Sequence, residues 1–307
     1  MNGTRALDSL APLQAPVMHR IARRLEEYLR LMRLNRPIGI WLLLWPTLWA
    51  LWVAGKGRPD PKVLAVFVLG VVVMRSAGCI INDFADRNVD PHVRRTRERP
   101  LAARRVTPGE ALVLFAALST VALWLVTRLD FYTLRLAVIG AVLTLSYPFL
   151  KRFFALPQLY LAVAFSWGVP MAFAALIGSL PRVAWTMFVA TIIWVVIYDT
   201  LYAMVDREDD MKIGVRSSAI VFADMDRVIV GVLQLMMLLA LLLMGSSLHF
   251  GTAYLGGLAG AAVFFAFQQW LIRAREPGAC LRAFQNNHYV GMSIFIGILL
   301  EYIYRAN

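Results

Sequence analysis

Charge is scarce in these 307 residues: 16% are Asp, Glu, Lys or Arg, while 60% are hydrophobic. Soluble domains of ordinary composition carry about a quarter charged residues, so the length does not stand for two such domains. Cysteine is scarcer still. Cys79 and Cys280 are the only two and lie far apart, which leaves no basis for a disulfide framework or a zinc–thiolate site. His19, His92, His249 and His288 are isolated, so neither a zinc cluster nor a Ser-His-Asp order is present. A glycine-rich phosphate loop and a dinucleotide fingerprint are also missing. The first 36 residues mix Pro, Asp, Glu and Arg without an apolar core, so no cleavable signal peptide is expected.

Long hydrophobic runs are what the chain does have. Windows of about twenty residues pick out nine expected spans, at 37–55, 63–82, 110–127, 131–150, 157–178, 183–205, 228–247, 251–271 and 288–304. The net charge of +12 does not mark a nucleic-acid binder, because the basic residues alternate between the loops. Of the 31 Lys and Arg, 23 fall on one side, seven on the other, and Arg75 lies inside a span. The richer side holds the N-terminal segment and is expected to be cytoplasmic. Residues 20–34 read as an amphipathic helix on that face, with Ile21, Leu25, Tyr28, Leu29 and Met32 on one side. A basic flank that merely fixes topology explains them equally well.

Two acidic clusters break the pattern: Asn82 to Asp90, and Asp199 to Asp210. Both end spans that run in the same direction, toward the basic side. That arrangement suggests a parallel repeat of two four-helix halves with a ninth helix added, the clusters facing each other across a pseudo-two-fold axis. The polar stretches 84–109 and 206–227 are expected to cap a central cavity, giving one membrane domain over 37–305 after the segment 1–36. A helix continued through Asp90 would place Asp83, Asp86 and Asp90 on one face. Asp199, Tyr202, Asp206, Asp209 and Asp210 form a second such stripe.

Carboxylates gathered at a membrane edge repel one another unless divalent cations and a counter-charged ligand hold them. Hard oxygen donors of this kind suit Mg²⁺, which bridges one or two carboxylates to phosphate oxygens. Arg87, Arg94, Arg95, Arg97, Arg99, Lys151, Arg152, Lys212 and Arg216 supply groups able to clamp phosphate or carboxylate. Topology alone accounts for any single Arg in 94–105, whereas Arg87 and Arg152 stand out by their positions. A diphosphate leaving from an allylic carbon into a water-poor, aromatic-lined cavity would leave an electrophile for an electron-rich acceptor. A secondary transporter would also show repeats and membrane acids, but nearer the midplane.

Several stretches resemble the intramembrane aromatic prenyltransferases: Asn82-Asp83-Xaa-Xaa-Asp86-Xaa-Xaa-Xaa-Asp90, Arg99-Pro100-Leu101, Tyr147-Pro148-Phe149-Leu150-Lys151-Arg152, and Tyr198-Asp199-Thr200-Xaa-Tyr202 through Asp206-Arg207-Xaa-Asp209-Asp210. Within that family the chain is most similar to the branch that acts on 4-hydroxybenzoate in ubiquinone biosynthesis. The resemblance implies an all-α bundle of nine transmembrane helices around a central cavity in a bacterial inner membrane. It implies Mg²⁺, a polyprenyl diphosphate donor and prenylation ortho to the phenol hydroxyl, with no nucleic-acid partner. Asn82, Asp83, Asp86, Asp90, Asp206, Asp209 and Asp210 become the expected magnesium–diphosphate residues, with Asp86, Asp206 and Asp210 the expected catalytic ones. Arg87, Lys151, Arg152, Tyr147, Tyr198, Asp199, Tyr202 and Lys212 become expected substrate contacts. Glu208 and Ala102-Ala103-Arg104 depart from the family pattern and touch loop geometry, not a metal ligand. Naphthoate, homogentisate, haem and a glycerol phosphate are alternative acceptors.

Overall fold

The computed structural model describes residues 11–93, 95–150, 153, 156–214 and 217–306, with 11–17 and Ile213 described by backbone alone. Among these residues there are helices and turns and no strand. In chain order the α-helices are α1 (Ala11–Leu31), α2 (Ile38–Ala54), α3 (Pro61–Asp86), α4 (Pro108–Val126), α5 (Phe131–Leu150), α6 (Pro157–Ser166), α7 (Gly168–Ile177), α8 (Arg182–Ile213), α9 (Ser218–Val221), α10 (Asp226–Ser247), α11 (Thr252–Leu271) and α12 (Pro277–Ala306). Eight segments are long and apolar enough to cross a membrane, counting α6 and α7 as one. At 17 residues α2 is shorter, though apolar throughout. The protein is thus an all-helical, multi-pass membrane protein.

Local chemistry sets several helix ends. Asp60 caps α3 by accepting from the Lys62 and Val63 amides at 2.7 and 3.2 Å, with Pro61 at the first helical position. Thr107 and Glu110 form a reciprocal capping box at the start of α4. At its far end α3 stops at Asp86 and does not continue through Asp90, which instead opens a 3₁₀ turn, Asp90–His92. Pro91 is the physical reason, because it offers no N–H to the helical ladder and crowds the residue before it. The second cluster does stay helical, so residues 206–213, expected in a cap loop, belong to α8. Gly214 ends that helix at φ 71, a left-handed conformation glycine adopts without strain.

The core lies where α2, α8 and α12 meet. Two buried indole N–H groups there find partners: Trp49 donates to the Gly291 carbonyl at 3.0 Å and Trp194 to Asn287 Oδ1 at 2.9 Å. α11 and α12 touch backbone to backbone, since a Cβ on Gly257 would fall 2.8 Å from Gly297 Cα. By contrast α4 buries only Ala111 and Leu125, and its Val113, Leu123 and Trp124 face outward. In a lipid solvent such a face carries no penalty.

Candidate active site

A cavity of about 1800 Å³ opens within the bundle. Phe67, Val71, Met74, Leu161, Phe165 and Met171 give it apolar walls, while Asn82, Asp83, Tyr147, Tyr198, Asp199 and Tyr202 bring both motifs to its lining. These six expected residues on α3, α5 and α8 therefore converge although more than a hundred positions separate the clusters.

Asp83 is 1% exposed and held twice. Arg33 Nη2 lies 2.9 Å from both of its oxygens, and Arg99 Nη1 lies 3.0 Å from Oδ1. The same Arg99 nitrogen reaches Asp90 Oδ2 at 2.9 Å, so the turn after α3 folds Asp90 back toward Asp83 despite the broken helix. Burial pushes the Asp90 carboxyl above its usual range; Arg99 opposes this, and Asp83 and Asp86 add to it.

In the second motif one arginine does the holding. Arg95 donates through Nε to Asp206 at 2.8 and 3.0 Å and through Nη2 at 2.6 Å, bonds the Tyr202 hydroxyl, and lays its guanidinium 4.6 Å from the Tyr202 ring centre. Burial works against this charge, yet Tyr202, Asp206 and Asp90 together hold the Arg95 pKa above the ordinary arginine value. Because Arg95 belongs to the loop that follows the first cluster, its bonds to Asp206 tie the two clusters together.

The remaining expected residues divide. Tyr198 is 3% exposed, its hydroxyl has no hydrogen-bond partner among the described residues, and its ring meets Trp194 and Phe284 edge-on. Tyr147 stacks on Tyr160 with ring centres 6.4 Å apart. Arg87 folds back onto its own helix, over the Phe84 ring at 4.4 Å and onto the Phe84 carbonyl at 2.7 Å. Lys212, 72% exposed, sits 3.7 Å from Asp209. Lys151, Arg152, Arg94 and Arg216 lie outside the described residues.

Sequence reasoning missed Arg33 and above all Arg75, and it set Arg95 and Arg99, named as possible clamps, down to topology. That side chain projects from the middle of α3 into the cavity, 5.6 Å from the Phe165 ring centre, and its buried Nε has no hydrogen-bond partner among the described residues. Gly39 makes room for it: a Cβ there would fall 2.4 Å from Arg75 Nε. A lone arginine inside an apolar span was the available signal, because such a charge is costly unless it serves a ligand.

Among the described residues no three His, Cys, Asp or Glu side chains form a ready metal cage. The donors on the cavity wall are nevertheless hard oxygens of Asn82 and Asp83 among guanidinium groups, the chemistry of a magnesium-bridged phosphate and not of a soft metal.

The model of the UbiA prenyltransferase family matches residues 43–296. The 4-hydroxybenzoate octaprenyltransferase of Methylococcus capsulatus is 55% identical, with 94% of this chain and 99% of that one covered. The protein of the same name from Nitrosococcus oceani is 56% identical, with 92% and 99% covered. Among solved structures, the apo UbiA homolog from Aeropyrum pernix K1 superposes with a TM-score of 0.74 at 23% identity, over 85% of this chain and 97% of that one. A UbiA homolog from Archaeoglobus fulgidus bound to GPP and Mg²⁺ gives 0.66 at 14% identity, over 89% and 99%. Motif, cavity and these likenesses agree: the chain belongs to the UbiA prenyltransferase family.

Proposed function

We propose that the protein transfers a polyprenyl group from a polyprenyl diphosphate to the ring carbon ortho to the hydroxyl of 4-hydroxybenzoate, releasing diphosphate, as a step of ubiquinone biosynthesis. One observation carries this reading. A single cavity presents a rim of aspartates and arginines and, deeper, the unpartnered Arg75 Nε, so it offers separate recognition to a diphosphate and to a benzoate carboxylate. The names of the relatives at 55% and 56% identity support the same donor and acceptor.

Asn82, Asp83, Asp86, Asp90, Asp206, Asp209 and Asp210 would hold magnesium with the donor's diphosphate. Magnesium supplies charge neutralisation that makes diphosphate a better leaving group. Arg33, Arg95 and Arg99 already neutralise the carboxylates and are within reach of phosphate oxygens once the donor is bound. The allylic C–O bond breaks with its electron pair leaving on diphosphate, a ring π pair forms the new C–C bond, and loss of the ring proton restores aromaticity. Apolar walls keep water from the electrophile, and the faces of Tyr147, Tyr198 and Tyr202 accommodate its positive charge. Arg75 orients the acceptor by its carboxylate; Tyr198 and Asp199 flank it. Lys151, Arg152, Arg87 and Lys212 remain candidate substrate contacts.

The fold reading behind this counts α2 as a ninth span and pairs α3 with α8 as equivalent members of two four-helix halves, α12 being the addition. The protein sits in a bacterial inner membrane with its N-terminus and acidic rim in the cytoplasm, on the side richer in arginine. Residues 1–36 form the cytoplasmic segment, its α1 resting on the membrane face through the exposed Met18, Ile21, Leu25 and Leu29.

Purified protein in detergent, given magnesium, a polyprenyl diphosphate and radiolabelled 4-hydroxybenzoate, is expected to make the prenylated acid, and a chelator to stop it. Product without a gradient excludes obligatory transport. Transfer to naphthoate or homogentisate but not to 4-hydroxybenzoate would reassign the acceptor; transfer to none of them would overturn the reading.

A further inference from the structure

Asp226, the first residue of α10, is 0% exposed and takes no part in the chemistry above. Two arginines from distant parts of the chain converge on it. Arg275, at the corner between α11 and α12, donates through Nη2 at 2.7 Å and through Nε at 3.0 and 3.1 Å, and its Nη2 also bonds the Asp224 carbonyl at 2.7 Å. Arg207 Nη1, from α8, lies 3.3 Å from the other carboxylate oxygen. Arg275 holds this geometry from a left-handed backbone, φ 55, a conformation uncommon for a residue with a side chain.

Such a triad is an expensive way to gain stability, because desolvating the ions offsets most of their attraction; its better-attested use is to fix one arrangement among several. Here the arrangement that matters is the azimuth of α8. Arg207 directly follows Asp206 and precedes Asp209 and Asp210 in the same unbroken helix. One residue is a 100° rotation, so tying Arg207 toward α10 turns Asp206 away from α10 and toward Arg95 and the first cluster.

We propose that the Arg207–Asp226–Arg275 triad is a positioning device that sets the rotation of the cytoplasmic end of α8 and so aims the second acidic motif at the magnesium–diphosphate site. The proposal rests on the functional reading above. Arg275→Gln leaves Asp226 still paired with Arg207, so the variant keeps a counter-charge for the buried carboxylate. The measurement is equilibrium binding of magnesium with inorganic diphosphate to the full-length protein in detergent, alongside its thermal midpoint and the KM for 4-hydroxybenzoate.

Arg275→Gln and Arg207→Gln are each expected to weaken magnesium–diphosphate binding about tenfold, the usual scale for groups that orient metal ligands. The acceptor KM should stay within about twofold, and Arg275→Lys should recover part of the loss. Asp206→Ala serves as the reference. If Asp206→Ala abolishes binding while Arg275→Gln and Arg207→Gln lower only the thermal midpoint, the triad is purely structural and the proposal fails. If Asp206→Ala itself leaves binding intact, the site assignment fails instead.

Discussion

In the first acidic motif the helix stops at Asp86 and a turn brings Asp90 back to share Arg99 with Asp83, whereas in the second α8 runs unbroken past Asp206, Asp209 and Asp210 to Ile213. The first is assembled from three separate pieces of chain, carrying Arg33, Asp83 and the Asp90–Arg99 loop. The second is one rod, its Asp206 held by the loop arginine Arg95 and its neighbouring Arg207 tied to Asp226. Two routes to one rim imply different weaknesses: buried, doubly paired carboxylates depend on their partners for folding, while a stripe on a rigid helix depends on where that helix points.

The sharpest break in the comparison comes from the carboxylates themselves. Asp86→Ala and Asp206→Ala are each expected to lower kcat/KM by at least about a hundredfold with the fold retained, measured by product formation and circular dichroism. Near-normal rates in either would remove the chemical equivalence of the two motifs. Next, Arg75→Ala should raise the KM for 4-hydroxybenzoate about tenfold or more, the scale of a lost charged hydrogen bond, with little change in the KM for the prenyl donor. Equal effects on both substrates would place Arg75 at the diphosphate.

Stability should separate the two motifs next. Arg99→Ala strips from buried Asp90 its only ion-pair partner among the described residues, and from Asp83 one of two there, and is expected to cost about 3 kcal/mol. Arg95→Ala uncovers a less buried pair and should cost about 1 kcal/mol or less. Thermal unfolding of the two variants in one detergent checks the order. The smallest effect belongs to Pro91→Ala, which permits one more helical turn after Asp86 and should change stability by only about 0.5 kcal/mol. A large loss of activity there would show that the broken helix is itself required.

Much of the architecture was legible because hydropathy reports directly on lipid: every expected run coincides with one of the helices, or with α6 and α7 together. Edges were less so, since α8 outlasts its apolar stretch by two turns and only Gly214 marks the end. The stripe expected on α8 keeps its helical spacing, whereas Asp90 comes back toward Asp83 by a turn in place of the expected continuous face. Partner choice was not. Seven arginines between 83 and 109 look alike in sequence, and nothing local says that Arg95 reaches Asp206, 111 positions away, while Arg99 serves Asp83 and Asp90. Arg75 and Asp226 were passed over for the same reason, because burial and neighbours across the bundle decide what a single charged side chain does.

Gly39 vacates the space in which Arg75 sits, and so fixes a positive pole roughly 12 Å along α3 from Asp83, eight residues away. The cavity therefore carries a fixed positive charge at depth before any guest arrives, while at the rim Arg33 and Arg99 balance Asp83. At that separation two like unit charges repel by about 1.4 kcal/mol for an effective dielectric of 20, or about tenfold in population. An allylic cation released at the rim would be discouraged from drifting deeper, and the wait for its aromatic partner would take place beside the diphosphate it has left.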